Sequence, residues 1–216
     1  MPAFAGADAS VVISNHFVRY ALVPWSEHLI AEDEKRAWVA HHFAELYGEP
    51  AAPLEYRWSE DKANAPCVAS AVDREFMAHI RALFESSSLR LRSVQLYLMA
   101  AFNRCKRHVN GNGVCLVLPE NGRVCMATFA RGEWRTLSCK SLGPDWHAEL
   151  SLLFERQLLL AEDDAPAALL AYGASLTSAD LPSASDMAVK VLTPKALLGF
   201  SPYSDAEYGM ALTGVA

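Results

Sequence analysis

The sequence predicts an α/β fold in two lobes, and three observations predict it. Segments with apolar residues at three- and four-residue spacing alternate with short runs of strand type. The stretch VCLVLPENGRVCMATF, residues 114–129, is apolar on both sides of one polar corner. HVNGNG, residues 108–113, is the clearest break in the chain and divides it into a first lobe, 1–109, and a second, 110–216.

In the first lobe, Val11 to Trp25 reads as two strands or one long bent one, with Ser14-Asn15 as the bend and Pro24-Trp25-Ser26 as the stop. Ala31 to Tyr47 turns helical, with Asp33 and Glu34 in the first turn and Gly48 just past the end, as the helix dipole favours. Leu54 to Trp58 alternates as a strand, and Cys67 to Val72 is another that runs into Asp73, an N-cap for the helix Arg74 to Phe84. Leu89 to Val94 is a half-buried strand, followed by a strongly apolar helix from Gln95 to Lys106.

The second lobe opens on the hairpin. Asn121-Gly122 fits a two-residue type I′ turn, which needs positive φ at both central positions. Pairing Glu120 with Arg123 then sets Leu118 opposite Cys125, Val117 opposite Met126 and Leu116 opposite Ala127. Both faces are apolar, so this ribbon belongs in the middle of a sheet covered on both sides. A second turn at Arg131-Gly132 returns Glu133 to Cys139 alongside it. A helix from Pro144-Asp145 through Leu158, a short strand at Ala167 to Ala171, a serine-rich loop, a strand at Met187 to Leu192 and a closing helix from Asp205 to Ala216 follow.

Composition bounds the function. The chain of 216 residues is 52% hydrophobic and 20% charged, with a net charge of −6, which excludes a disordered chain and argues against a nucleic-acid partner. Arg90, Arg92, Arg104, Lys106 and Arg107 form the one basic concentration, and three of them sit at a helix end. Cys67, Cys105, Cys115, Cys125 and Cys139 are scattered, never in a C-x-x-C pair, and read as buried free thiols of a reducing compartment. No stretch reads as a signal peptide or approaches 18 apolar residues, so a soluble cytoplasmic protein without a membrane span is expected.

Chemistry-bearing motifs are scarce. No G-x-S-x-G or H-E-x-x-H occurs, and adjacent His41 and His42 diverge on their helix, with His41 at the spacing of a surface pair with Glu45. The runs Glu32-Asp33-Glu34, Glu60-Asp61 and Glu162-Asp163-Asp164 read as a helix start, a turn and a helix end. Asn110 to Gly113 lacks phosphate-loop spacing and precedes a strand, so it is a linker. Neither catalytic residues nor a metal site are expected, and a two-metal nuclease lacks the converging carboxylates it needs.

Three stretches carry a family resemblance. VVISNHFVRYALVPW with EDEKRAWVAHHFAEL, then CVASAVDREFMAHIRALFESSSLRLRSVQLYLMAAFN, and finally DAEYGMALTGVA are similar to segments of the actin-like pilus-assembly protein PilM, the cytoplasmic domain of the secretion protein GspL and the MshI proteins. The first would be the second and third strands of the family's first subdomain, and the β-β-β-α-β order of the second lobe is that of ribonuclease H-like halves. The resemblance implies an α/β, actin-like ATPase (ribonuclease H-like) fold of two related lobes with mixed sheets flanked by helices.

It also exposes departures. Where the family's D-x-G signature would stand, this sequence has Leu118-Pro119-Glu120, and Pro119 deletes an amide donor. The glycine-rich adenosine loop would map to Tyr172-Gly173-Ala174-Ser175, where only Gly173 and Ser175 fit as vestigial nucleotide-loop positions. The first lobe's phosphate hairpin is missing, because residues 1–10 are too short for it. The resemblance therefore implies a non-catalytic, peripheral scaffold at the inner membrane, in a type IV pilus or type II secretion-like assembly, without a cofactor. Its partner would be a membrane protein whose short cytoplasmic peptide docks on it, and a homodimer is compatible with the reading. Trp25, Trp58, Trp134 and Trp146 are candidate docking aromatics, with core packing as the plainer role. The alternative is a nucleotide-binding ATPase or kinase relative that still holds ATP at an altered phosphate site.

Overall fold

A computed structural model describes residues 5–214 apart from 28, 30, 51, 60–63, 110–112, 161–164, 175, 183–186 and 198. Ser175, His28, Glu60-Asp61, Glu162-Asp163-Asp164 and most of the 110–113 linker therefore lie outside the described residues.

The first 105 residues supply strands β1 (Asp8–Ile13), β2 (Val18–Val23), β3 (Leu54–Trp58), β4 (Cys67–Asp73) and β5 (Arg90–Leu96), with helices α1 (Glu32–Tyr47), α2 (Arg74–Glu85) and α3 (Tyr97–Cys105). A 3-10 turn at Asn15–Phe17 separates β1 from β2, so the Val11 to Trp25 stretch is two strands. They do not share a sheet, as adjacent strands of one subdomain would. β1 pairs in parallel with β5, while β2 joins an antiparallel sheet of order β2-β4-β3. The strand before α3 runs longer than its alternation suggested, because Gln95 and Leu96 pair with Val12 and Ile13. Asp73 caps α2 as expected, accepting from the Phe76 N–H at 2.9 Å.

The remaining strands are β6 (Val114–Glu120), β7 (Arg123–Ala130), β8 (Glu133–Ser141), β9 (Ala168–Tyr172) and β10 (Ala188–Leu192), with helices α4 (Trp146–Leu160) and α5 (Gly209–Thr213). They form one sheet of order β10-β9-β6-β7-β8. The hairpin register is the expected one, Glu120 to Arg123 through Leu116 to Ala127, and β6 and β7 are interior strands. One face of the ribbon, with Leu116, Leu118, Ala127 and Phe129, packs on α3 and on residues of β1, β2 and β4. The other face, with Cys115, Val117, Val124 and Met126, packs on Leu150 and Phe154 of α4. A third, smaller core joins Val39 and Phe43 of α1 to the β2-β4-β3 sheet.

Two further expectations need correction. The closing helix is shorter than Asp205 to Ala216. It is a 3-10 turn at Ala206–Tyr208 followed by α5, where Gly209 lies so close to Ala174 that an added Cβ would meet the Ala174 Cβ at 2.4 Å. The cysteines are not all free thiols. The β7–β8 register sets Cys125 directly opposite Cys139, with Cα atoms 4.1 Å apart, and the two are joined as a disulfide. Cys105 and Cys115 are buried, and desolvation pushes both thiols up to about 12. Thiol titration of the chain unfolded without reductant should find three groups (Cys67, Cys105 and Cys115) and should find all five after reduction.

Candidate functional site

A cleft of about 910 Å³ opens where the hairpin turn Pro119–Gly122, the loop before α4, the Gly173 loop and the start of α5 converge. The hairpin corner is anchored from below. Ser14 Oγ donates to Glu120 Oε1 at 2.6 Å and the Asn15 N–H donates to Glu120 Oε2 at 3.1 Å. Asn15 is fully buried, and its Oδ1 accepts from Tyr20 Oη at 2.9 Å and from the Leu98 N–H at 3.2 Å. Leu98 lies in the first turn of α3, whose N-cap Leu96 offers no side-chain oxygen, so Asn15 caps that helix from another element. Burial, with the nearby Glu120 carboxylate, pushes the phenols of Tyr20 and Tyr97 far above the ordinary tyrosine value, so both remain neutral donors.

The fold implies a nucleotide with its magnesium ion, and the cleft has the volume for one. Its donor set does not fit. Glu120 and Glu207 are the charged residues among the described lining, and no lysine or arginine joins them. A triphosphate needs several amides and cations at once, and bringing it to two carboxylates costs Coulomb energy at every step. Pro119 has no N–H to offer. Gly173 does line the cleft, yet its N–H is spent on the Leu192 carbonyl at 3.1 Å, and its neighbour Ala174 is covered by Gly209. Behind the cleft wall, Ser14 Oγ and the Asn15 N–H are both taken by Glu120.

A second groove, about 550 Å³, lies between the β2-β4-β3 sheet and the β1-β5 pair. Its apolar lining comes from Ile13, Val68, Val72, Met77, Leu96 and Met99. β3 and β5 also contribute to it, and each is an edge strand. On the rim, Glu55 receives Arg81 at 2.8 and 3.0 Å and Arg57 at 3.0 Å. The Arg81 hydrogen bonds, aided by both guanidinium charges, hold the Glu55 carboxyl below its usual 4.5. A carboxyl lowered in the native state contributes stability above its unfolded value and loses it as pH falls through the native one. The melting temperature should therefore drop on acidification below about pH 4.5, and Glu55→Gln should flatten that part of the profile.

The four tryptophans separate. Trp134 is core, tilted against Phe102 and Phe129 with ring centroids 4.6 and 4.5 Å away. Trp146 is half-buried at the wall of the large cleft, Trp58 lines the groove, and Trp25 is 42% exposed. The basic concentration resolves into structural contacts, with Arg90 and Arg92 each 2.9 Å from Asp8 and Arg104 donating to the Thr213 carbonyl. His41 reaches Glu45 at 3.5 Å on the exposed face of α1. Ser14 and Asn15 are the site residues that sequence reasoning passed over as a bend. Their only local signal is a pair of short polar side chains between two apolar strands.

No protein-family model matches the chain, and a search of curated proteins finds no relative. Solved structures do match its shape. A protein with actin-like ATPase fold and unknown function from Bacteroides thetaiotaomicron aligns at a TM-score of 0.54 with 8% identity, over 86% of this chain and 68% of that one. A chain of a PilM-PilN type IV pilus biogenesis complex aligns at 0.62 with 12% identity, over 94% of this chain and 76% of that one. The chain has the actin-like fold, mixed sheets flanked by helices. Among the described residues, no helix is long and apolar enough to cross a membrane.

Proposed function

We propose that this actin-like chain is a non-catalytic scaffold of a type IV pilus or type II secretion-like assembly. One observation carries the reading. The Glu120 carboxylate, fixed by Ser14 and Asn15, lines the cleft, so a nucleotide phosphate entering it would meet a held negative charge and no cation. The resemblance in shape to a member of a PilM-PilN complex supports the pathway. On this reading the chain works in the cytoplasm, peripheral to the inner membrane, as lobes 1–109 and 110–216, and a short cytoplasmic peptide of a membrane partner docks on it. The groove between the β2-β4-β3 sheet and the β1-β5 pair is the docking site that suits an extended peptide, since it combines an apolar lining with two edge strands.

Mg-ATP at millimolar concentration should leave the melting temperature within about 1 °C of the apo value, because a ligand shifts it only by binding the native state. A saturable rise of several degrees, lost in Gly173→Trp, would instead make the chain a nucleotide-binding relative of the actin-like ATPases.

A further inference from the structure

The Cys125–Cys139 bond ties the edge strand β8 to β7. Both residues pack into the core that the ribbon shares with α3 and with residues of β1, β2 and β4, and β2 lies beside β8. A bulge at Thr128/Phe129 shifts the β7–β8 pairing by one residue, and without it Cys125 would face Ser138. The flanking pairs, Val124 with Lys140 and Met126 with Ser138, belong to the backbone ladder and hold this register whether or not the sulfurs are bonded. In a reduced chain the two thiols would therefore stay face to face, at high effective concentration, and ready to close again.

The cysteines differ in what can reach them. Cys105 and Cys115 are fully buried, and desolvation keeps their thiols protonated and poorly reactive. Cys67 is half-buried and faces Val23 across the β2–β4 pair, not another cysteine. Cys125 is buried, but Cys139 is half-buried on an edge strand, so an external thiol meets the bond at the Cys139 sulfur.

We infer that Cys125 and Cys139 form a reversible redox site, opened and closed by a glutathione-type thiol–disulfide couple, which loosens or tightens β8 where it adjoins β2. The site goes beyond the scaffold reading and does not depend on it. In opening, a glutathione thiolate attacks the Cys139 sulfur, and the Cys125 thiolate leaves and takes up a proton. A second glutathione thiolate attacks the glutathione sulfur of the mixed disulfide and releases the Cys139 thiolate, which is protonated in turn. The chain gains two electrons and two protons, and the two glutathiones leave joined as their disulfide. Closing is the reverse. The bond spans 14 residues of sequence, a short loop that keeps β8 from peeling off β7, so opening it lowers both global stability and the local protection of the edge.

The test equilibrates the full, folded chain in millimolar glutathione at varied ratios of thiol to disulfide, traps thiols in denaturant with N-ethylmaleimide and maps them by mass spectrometry. The Cys125 and Cys139 thiols should form together as the ratio rises and vanish when glutathione disulfide is restored, with Cys105 and Cys115 remaining thiols throughout. The reduced chain should melt roughly 6 °C or more below the oxidised one. In hydrogen exchange, the amides of β8 should exchange about ten-fold faster or more on reduction while those of α1 keep their rates. Cys139→Ala should melt and exchange alike in both buffers. A bond that persists in the native chain at every ratio is a permanent staple and overturns the inference. So does a bond that fails to reclose, equal melting of the two forms, exchange that quickens equally over the whole chain, or a redox response that survives in Cys139→Ala.

Discussion

Asn15→Ala should lower the unfolding free energy by about 3 kcal/mol, read by urea denaturation, as two buried donors lose their acceptor at an expected ~1–3 kcal/mol each. The donors are the Tyr20 hydroxyl and the Leu98 N–H, both on the fully buried Asn15 Oδ1. The N-cap residue Leu96 makes no side-chain cap of its own, so the loss reaches from the β1–β2 bend into the helix. A double variant separates the two donors. Tyr20→Phe alone should cost about 1 kcal/mol, and in the Asn15→Ala background it should cost little or recover stability, since it removes a hydroxyl already orphaned. Additive costs would show that the hydrogen bond contributes nothing.

Glu120→Ala should cost about 2 kcal/mol by the same measurement, because it removes two hydrogen bonds to a carboxylate at a part-buried seam. Glu120→Gln keeps an acceptor oxygen but loses the charge, and should cost roughly half as much. The consequence for function is specific. Clearing Glu120 frees the Ser14 hydroxyl and the Asn15 amide but leaves Glu207, Pro119 and the spent Gly173 amide in place. Mg-ATP should therefore still fail to stabilise Glu120→Ala. A variant that gained nucleotide binding would identify the carboxylate as the sole barrier.

Much of the fold was legible because local rules acted unopposed. In the hairpin, Asn121-Gly122 sets the turn, the turn sets the register, and apolar residues on both faces demand an interior position, which β6 and β7 occupy. Asp73 at a strand-to-helix junction and the acidic first turn of α1 are similarly local signals. Where the reading missed, a partner distant in sequence decided. Gln95 and Leu96 stay extended because β1 pairs with them, and the helix that forms from Gly209 to Thr213 starts where Gly209 passes close to Ala174. The Cys125–Cys139 bond depends on a bulge at Thr128/Phe129, which shifts the pairing by one residue so that Cys125 faces Cys139 and not Ser138, and neither the turn nor the spacing of the cysteines shows that bulge.

The candidate site divides in the same way. Sequence alone shows that Leu118-Pro119-Glu120 holds no Asp and that its proline has no N–H. It could not reveal what Glu120 contacts. The partners of Glu120 lie 106 and 105 residues away, across the seam between β1 and the hairpin. Nor could it group Trp25, Trp38 and Trp58 around one cavity, as they come from the ends of two strands and the face of a helix. Periodicity and turn chemistry act between neighbours in the chain, whereas charge compensation and cavity walls are set by distance in space, and only the folded chain fixes that distance.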